Sequence, residues 1–158
     1  MITAHLASGY LTGRAFGARG GLVLAAALLG SVLPDFDLIW FYLIDNRAFH
    51  HHRYWVHAPG LWLALAAIAL PLLRWRAPGL LWPALAFLAA IFIHLVLDSL
   101  AGSIMWLWPF ETTLYALVEV PARRSHWLLS FLTHWTMLAE LAVWGAAIGL
   151  WLQDRRPA

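Results

Sequence analysis

The residues best suited to chemistry in this chain are histidines and aspartates. Eight histidines occur in 158 residues, and most of them fall within the first 57 positions, as do Asp35 and Asp37. Neutral imidazole and carboxylate groups are ligands for Zn²⁺ and Mn²⁺, and an ion held by them can activate water for hydrolysis. The chain has no cysteine, which excludes thiolate ligands and disulfides. Any metal would therefore be bound by histidine and carboxylate.

Three short patterns carry these residues. His94 and Asp98 are four apart in an apolar stretch, so on a helix they share one face and can hold one ion; the alternative is an interfacial histidine and an aspartate that ends the helix in solvent. Asp35 and Asp37 follow Pro34, and alternate carboxylates on a turn can bridge cations; the alternative is helix capping.

The third pattern is a polar segment in which two histidines flank an arginine. His52 and His57 offer two neutral imidazoles, and the guanidinium of Arg53 suits bidentate contact with phosphate or carboxylate. A solvated interfacial loop is the alternative, and it is our interpretation for His50 and His51.

Other polar residues are weaker candidates. His5 lies one turn inside the first apolar segment, where a lone histidine usually packs, and only convergence with the other ligands favours it. His134 and Glu140 are six apart, hence on different helix faces, and we leave them outside the ligand set. Glu111 and Glu119 are weaker general acid or base candidates.

The composition predicts a membrane protein. Hydrophobic residues make up 63% and charged residues 11%, against about 45–50% and about 25% in soluble domains. The length suits one membrane-embedded domain over residues 1–158. The ten basic residues are all arginine and are scattered, so we expect no nucleic-acid partner.

We predict an all-α integral membrane bundle of about five short helices, with interfacial loops that carry the metal site. The segment 35–45 is apolar but only about 16 Å long as a helix, which suits the membrane interface. The predicted spans are 2–16, 21–33, 58–73, 80–100 and 127–152.

The arginines predict the orientation. The turns at 14–20 and 74–78 and the C-terminus hold six arginines, whereas the longer segments 34–57 and 101–126 hold four. Because short cytoplasmic loops are enriched in basic residues, the first group is expected in the cytoplasm. The candidate ligands then meet on the outer face of an inner membrane.

The ordered set of motifs resembles the YdjM-like family of membrane-bound metal-dependent hydrolases, which are also described as LexA-binding, inner-membrane-associated hydrolases. The matching residues are an early His5, LPDFD (33–37), HRYWVH (52–57), HLVLDSLAG (94–102) and WPF (108–110). The order of ligands is also distantly similar to that of zinc-dependent phospholipases C and related nucleases, which suggests phosphoester chemistry.

The resemblance implies a metal-binding role for seven residues and a substrate-contacting or ligand-supporting role for Arg53. The seven are His5, Asp35, Asp37, His52, His57, His94 and Asp98. This chain departs from the family pattern around the second histidine, where Tyr54, Val56 and Ala58 replace glycine, threonine and serine. Hydroxyl groups that would orient ligands or substrate are therefore missing.

Together these observations predict a hydrolase that acts on a lipid or lipid-linked phosphoester at the membrane interface. One or two divalent ions, zinc or else manganese, would activate a water molecule, with Asp35 or Asp37 as general base. Arg53 would stabilise developing phosphoryl charge. Two alternatives remain: a metal transporter in which His134 and Glu140 line the interior with the site, and a scaffold with a closed structural metal shell and no substrate-sized cleft.

Overall fold

The computed structural model describes residues 3–155, and within this range the regular structure is helical apart from one isolated bridge between Ile104 and Tyr115. The predicted all-α class is confirmed, with seven α-helices in the described range rather than about five. They are α1 (Ala4–Ala15), α2 (Gly21–Val32), α3 (Asp37–Leu43), α4 (Pro59–Arg76), α5 (Leu81–Ser99), α6 (Trp127–Leu132) and α7 (Thr136–Asp154).

Small residues bring the three innermost helices close together. Gly9 of α1 lies against Ser31 of α2, and Gly30 of α2 lies against the backbone carbonyl of Phe87 in α5. A Cβ atom at either glycine would overlap its neighbour. Helices in membranes pack closely where glycine, alanine and serine let the backbones approach. The resulting α1–α2–α5 unit is the frame on which the polar site is built.

The larger apolar side chains pack on the outer side of α5. Ile91 and Leu95 are fully buried against Trp62 of α4 and Ile104 of the following loop. The indole Nε1 of Trp62 donates to the backbone oxygen of Val56, 2.8 Å away. This contact ties the start of α4 to the segment that carries His52 and His57.

Helix α7 is held along α1 by polar contacts at both ends. The guanidinium of Arg14 makes two contacts of 2.8 Å with the Asp154 carboxylate, which also accepts a hydrogen bond from Tyr10. At the other end Glu140 is fully buried and accepts hydrogen bonds from the backbone N–H and the hydroxyl of Thr3. Glu140 therefore satisfies donors at the start of α1.

Among the described residues, fewer helices than the five predicted spans are long and apolar enough to cross a membrane. By length and composition two helices of the described range could cross a membrane, Pro78–Ser99 and Thr136–Asp154. A third span is possible if α2 and the segment Pro34–Leu43 count as one, with a bend of 50° between them. Helix α1 has only 12 residues, and α4 has two arginines in its last turn.

The predicted span 127–152 is not one continuous helix. It is broken between α6 and α7, at Thr133 to Trp135. The hydroxyl of Thr133 donates to the carbonyl of Leu129, and His134 Nδ1 lies 3.0 Å from the Thr136 hydroxyl. Local side-chain bonds can compete with the helical pattern, and here they accompany the break. Helix α4, by contrast, runs through Pro71.

Candidate metal centre

Five separate segments bring polar side chains to one end of the α1–α2–α5 unit. His5 lies in the first turn of α1, Asp35 follows α2 in a 3-10 turn that begins at Pro34, and His94 and Asp98 lie in the last turns of α5. His52 and His57 lie in two further 3-10 turns, His51–Arg53 and Trp55–His57. The structure thus brings these six residues together at one end of the unit.

Asp98 is the centre of this cluster. Its Oδ2 atom is 2.9 Å from Nε2 of His94, 3.6 Å from that of His52 and 3.7 Å from that of His57. Its Oδ1 atom is 3.1 Å from Nε2 of His5. Asp98 and all four histidines are buried. Four imidazole nitrogens therefore surround one buried carboxylate.

Asp35 closes the cluster from the side that faces the exterior. Its carboxylate oxygens lie 3.8 Å from Nε2 of His94 and 3.9 Å from Nε2 of both His5 and His57. The Asp35 side chain is 29% exposed, whereas that of Asp98 is 2% exposed. One carboxylate of the site is thus enclosed and the other is accessible.

Two sets of potential ligand atoms are close enough to hold an ion. In each set the atoms lie within 4.8 Å of one another. Ligand atoms of a tetrahedral zinc ion, each about 2.1 Å from the metal, are about 3.4 Å apart, which is comparable with the contacts around Asp98. The first set is His5, Asp35, His94 and Asp98, and the second is His51, His52 and His57.

Backbone carbonyl groups determine which nitrogen of two histidines carries the proton. Nδ1 of His94 lies 2.8 Å from the carbonyl oxygen of Ser31, and Nδ1 of His52 lies 2.9 Å from that of Ser103. A carbonyl only accepts, so each Nδ1 donates. Ser31 is one of the last residues of α2, whose carbonyls have no partner within the helix. Orientation of a ligand histidine through its other nitrogen is typical of metal sites.

Asp37 plays the same part for His57. Its Oδ2 atom is 2.8 Å from Nδ1 of His57, and its Oδ1 atom is 3.5 Å from Nδ1 of His51. It belongs to neither set of potential ligands. The alternation of Asp35 and Asp37 therefore separates them: Asp35 faces the cluster of Nε2 atoms, and Asp37 supports the histidines from behind.

The protonation of the histidine rings indicates whether this cluster suits a metal ion. With Nδ1 of His52, His57 and His94 donating, each neutral ring directs an Nε2 lone pair toward carboxylate oxygens. The Nε2 atoms of His57 and His94 are buried, and each lies 2.9–3.9 Å from carboxylate oxygens of Asp35 and Asp98. Lone pairs facing carboxylates at these distances repel unless a cation lies among them. The residues present therefore fit a divalent cation.

Protonated histidines would balance the carboxylates of this cluster less well than a metal ion. Protonation of four histidines would introduce more positive charge than two carboxylates balance, in a buried site where unpaired charge is costly. Burial lowers the pKa of His52 to about 2, against the opposing effect of Asp98, so this imidazole is neutral at neutral pH. One divalent ion balances the two carboxylates without this cost.

A cavity of about 620 Å³ opens beside the cluster. Asp35, Asp98 and His52 form its polar side, and the remaining wall is mainly apolar, with contributions from α3 and α6 such as Leu38 and Phe131. The guanidinium-bearing residue of this cavity is Arg47, which has a positive φ of 61°. The predicted Arg53 is exposed and does not line the cavity.

Other candidates from the sequence are placed as follows. His50 and His51, which we interpreted as solvated, line the cavity, and His51 contacts Asp37. His134 and Glu140 do not belong to either ligand set, because His134 bonds near the α6–α7 break and Glu140 binds Thr3. The arrangement therefore differs from the one that the transport alternative predicts.

The sequence analysis missed residues that act through the backbone or through tertiary position. Nothing in the sequence indicates that the backbone carbonyls of Ser31 and Ser103 accept hydrogen bonds from histidines. Gly102, by contrast, could have been noticed, because its residue type matters. A Cβ atom at Gly102 would lie 3.0 Å from Cε1 of His52, so a glycine here leaves room for the imidazole. Arg47 could not be distinguished from Arg53, since both lie in the same polar segment.

The comparisons with known proteins bear on the family alone. Neither a curated protein nor a solved structure matches the chain. The model of the YdjM inner membrane protein family matches residues 1–156, which include every residue of the candidate metal centre. The two or three apolar helices long enough to span a membrane agree with such a location. The chain therefore belongs to the YdjM inner membrane protein family.

Proposed function

We propose that this inner membrane protein is a metal-dependent hydrolase of amphipathic phosphoesters. The observation that carries the proposal is the junction of two features: a buried His/Asp cluster suited to a divalent ion, and a largely apolar cavity that reaches Asp35 and Asp98. A purely structural metal site is closed by its ligands and needs no such cavity.

The residues have distinct parts in this proposal. His5, Asp35, His94 and Asp98 would hold one ion, and His52 and His57 are placed to contribute to the same or a second ion. A bound Zn²⁺ or Mn²⁺ would supply Lewis acidity and lower the pKa of water. Asp35 is the partly exposed carboxylate at the cavity, so we propose it, rather than Asp37, as the group that accepts a proton from water.

The surface of α3 supports a substrate that comes from the bilayer. Ile39, Trp40 and Leu43 of α3, and Phe36 just before it, are each more than half exposed. The other side of the same helix, through Leu38 and Phe41, lines the cavity. An exposed aromatic and apolar surface suits the membrane interface. A lipid headgroup could reach the metal ligands while its chains remain against apolar residues.

The first test is hydrolysis by purified protein in detergent. We expect chelator-treated protein to lose activity and to regain it with Zn²⁺ or Mn²⁺. Phospholipids in mixed micelles should be cleaved faster than a water-soluble chromogenic phosphodiester, because the cavity wall is apolar. Elemental analysis of each sample gives the metal content. Stoichiometric metal without cleavage of any ester in the panel would contradict the hydrolase.

The two neighbouring arginines provide a second test. We expect Arg47→Gln to raise KM for an anionic lipid by about 10-fold or more, because a hydrogen bond to a charged group contributes about 1.5–3 kcal/mol. Arg53→Gln is the matched control, with the same charge change on the same segment, and should alter KM less than about twofold. A larger rise in KM for Arg53→Gln than for Arg47→Gln would instead support Arg53 as the residue that contacts the substrate.

A further inference from the structure

A second, smaller cavity lies beside the main one and is lined by cationic and hydroxyl side chains. Its volume is about 210 Å³. The lining residues are Pro121, Arg123, Arg124, Ser130, Thr133 and His134. Its chemistry is opposite to that of the metal centre, where carboxylates face the cavity. Two guanidiniums with nearby hydroxyl groups match the oxygens of a phosphoryl group.

The basic pocket and the main cavity meet at helix α6, where they share a lining residue. Phe131 faces the main cavity, Thr133 lines the basic pocket, and Ser130 lines both. The Ser130 hydroxyl also accepts a hydrogen bond of 3.0 Å from the backbone N–H of Arg124. The backbone of the arginine segment is thus tied to α6, while its side chains remain available to a ligand.

The positive charge of this pocket is not balanced by an acidic side chain among the described residues. Within residues 3–155 no carboxylate forms an ion pair with Arg123 or Arg124, and no acidic side chain lines the pocket. By contrast, Arg14 at the opposite end of the bundle is paired with Asp154. Two adjacent unneutralised guanidiniums beside a substrate-sized cavity favour an anionic ligand.

We propose that the basic pocket binds a second phosphoryl group of the substrate, separate from the one that faces the metal ligands. This inference rests on the proposed function, because it assigns the substrate class: an amphiphile with two phosphoryl groups, whose chain occupies the main cavity. The shared wall at Ser130 connects the two parts. The same chemistry could also bind free diphosphate, and the experiment distinguishes the two sources.

The test measures binding of decyl diphosphate, decyl phosphate and inorganic pyrophosphate to chelator-treated full-length protein in detergent, by calorimetry. We expect the double variant Arg123→Gln, Arg124→Gln to bind decyl diphosphate at least about tenfold more weakly than wild type. The matched control is Arg74→Gln, Arg76→Gln, an exposed pair at the end of α4, which should bind as wild type does. Decyl phosphate, with one phosphoryl group, should bind more weakly than decyl diphosphate.

Two results would overturn the inference. The first is equal affinity of the Arg123/Arg124 variant and wild type for decyl diphosphate. The second is equal affinity of wild type for pyrophosphate and decyl diphosphate, which would indicate a free-anion site with no part for the apolar cavity. Because the binding assay uses metal-free protein, tight binding without hydrolysis after metal loading would contradict the proposed function and leave the anion site in place.

Discussion

Replacing Asp98 with asparagine should remove the metal ion and hydrolysis together. Asp98 is within 3.7 Å of four imidazole nitrogens, and the amide preserves its shape while removing its charge. The amide would also aim donor hydrogens at the buried nitrogens in place of a ligand oxygen. We expect metal content to fall at least about tenfold, because even residues that only support a ligand contribute about 10–100-fold to metal affinity. We expect kcat/KM to fall in proportion to the metal content.

Elemental analysis and the phosphoester assay, on the same samples, measure this effect. Glu111→Gln is the control, because Glu111 is exposed in the loop and hydrogen-bonded only to Thr113 and Tyr115 among the described residues. It should keep the wild-type metal content. A well-folded Asp98→Asn protein with a full complement of metal would refute the site.

Asp37→Asn should weaken metal binding without abolishing turnover. Asp37 contacts Nδ1 of His57 at 2.8 Å and lies outside both ligand sets, so its charge supports the histidine rather than the ion. We expect metal affinity to fall by about 10–100-fold, the range for groups that orient a ligand histidine. At saturating metal, kcat should return to near the wild-type value.

This result separates two roles for the same carboxylate. If Asp37 were the general base, as the sequence also allowed, the variant would keep its metal and lose kcat at every metal concentration. Measuring kcat of the variant at increasing metal concentration therefore distinguishes a general base from a residue that supports a ligand. Asp45→Asn is the matched control: its carboxylate accepts a hydrogen bond from Tyr54 and belongs to neither ligand set, so its metal titration should match that of wild type.

Local geometry explains why part of the site could be predicted. The pairing of His94 with Asp98 could be predicted from the helical repeat alone, because residues four apart are separated by little more than one turn. Pro34 has no N–H to continue the hydrogen bonds of α2, and the two carboxylates follow in the turn that begins there. The ordered motifs then indicated which distant residues meet, and the packing of α1, α2 and α5 brings them to one end as expected.

The C-terminal region shows where a prediction from hydropathy alone failed. The stretch 127–152 is mostly apolar, yet the structure divides it into α6 and α7 at the place where Thr133 and His134 make local side-chain bonds. That break has a structural consequence, since Ser130 and Phe131 on α6 can then line the cavity near Asp98. An average over a window of residues cannot detect individual hydrogen bonds of this kind.

The amino-acid sequence by itself determined the membrane class and the all-α fold, and it indicated histidine and aspartate as the residues of the candidate site, because composition and short-range spacing carry this information. Only the tertiary structure decided that Asp35 faces the Nε2 cluster while Asp37 supports His57, that Arg47 rather than Arg53 lines the cavity, and that Glu140 binds Thr3. These distinctions depend on which segments pack together, and residues two or six positions apart in sequence make different contacts because different neighbours surround them.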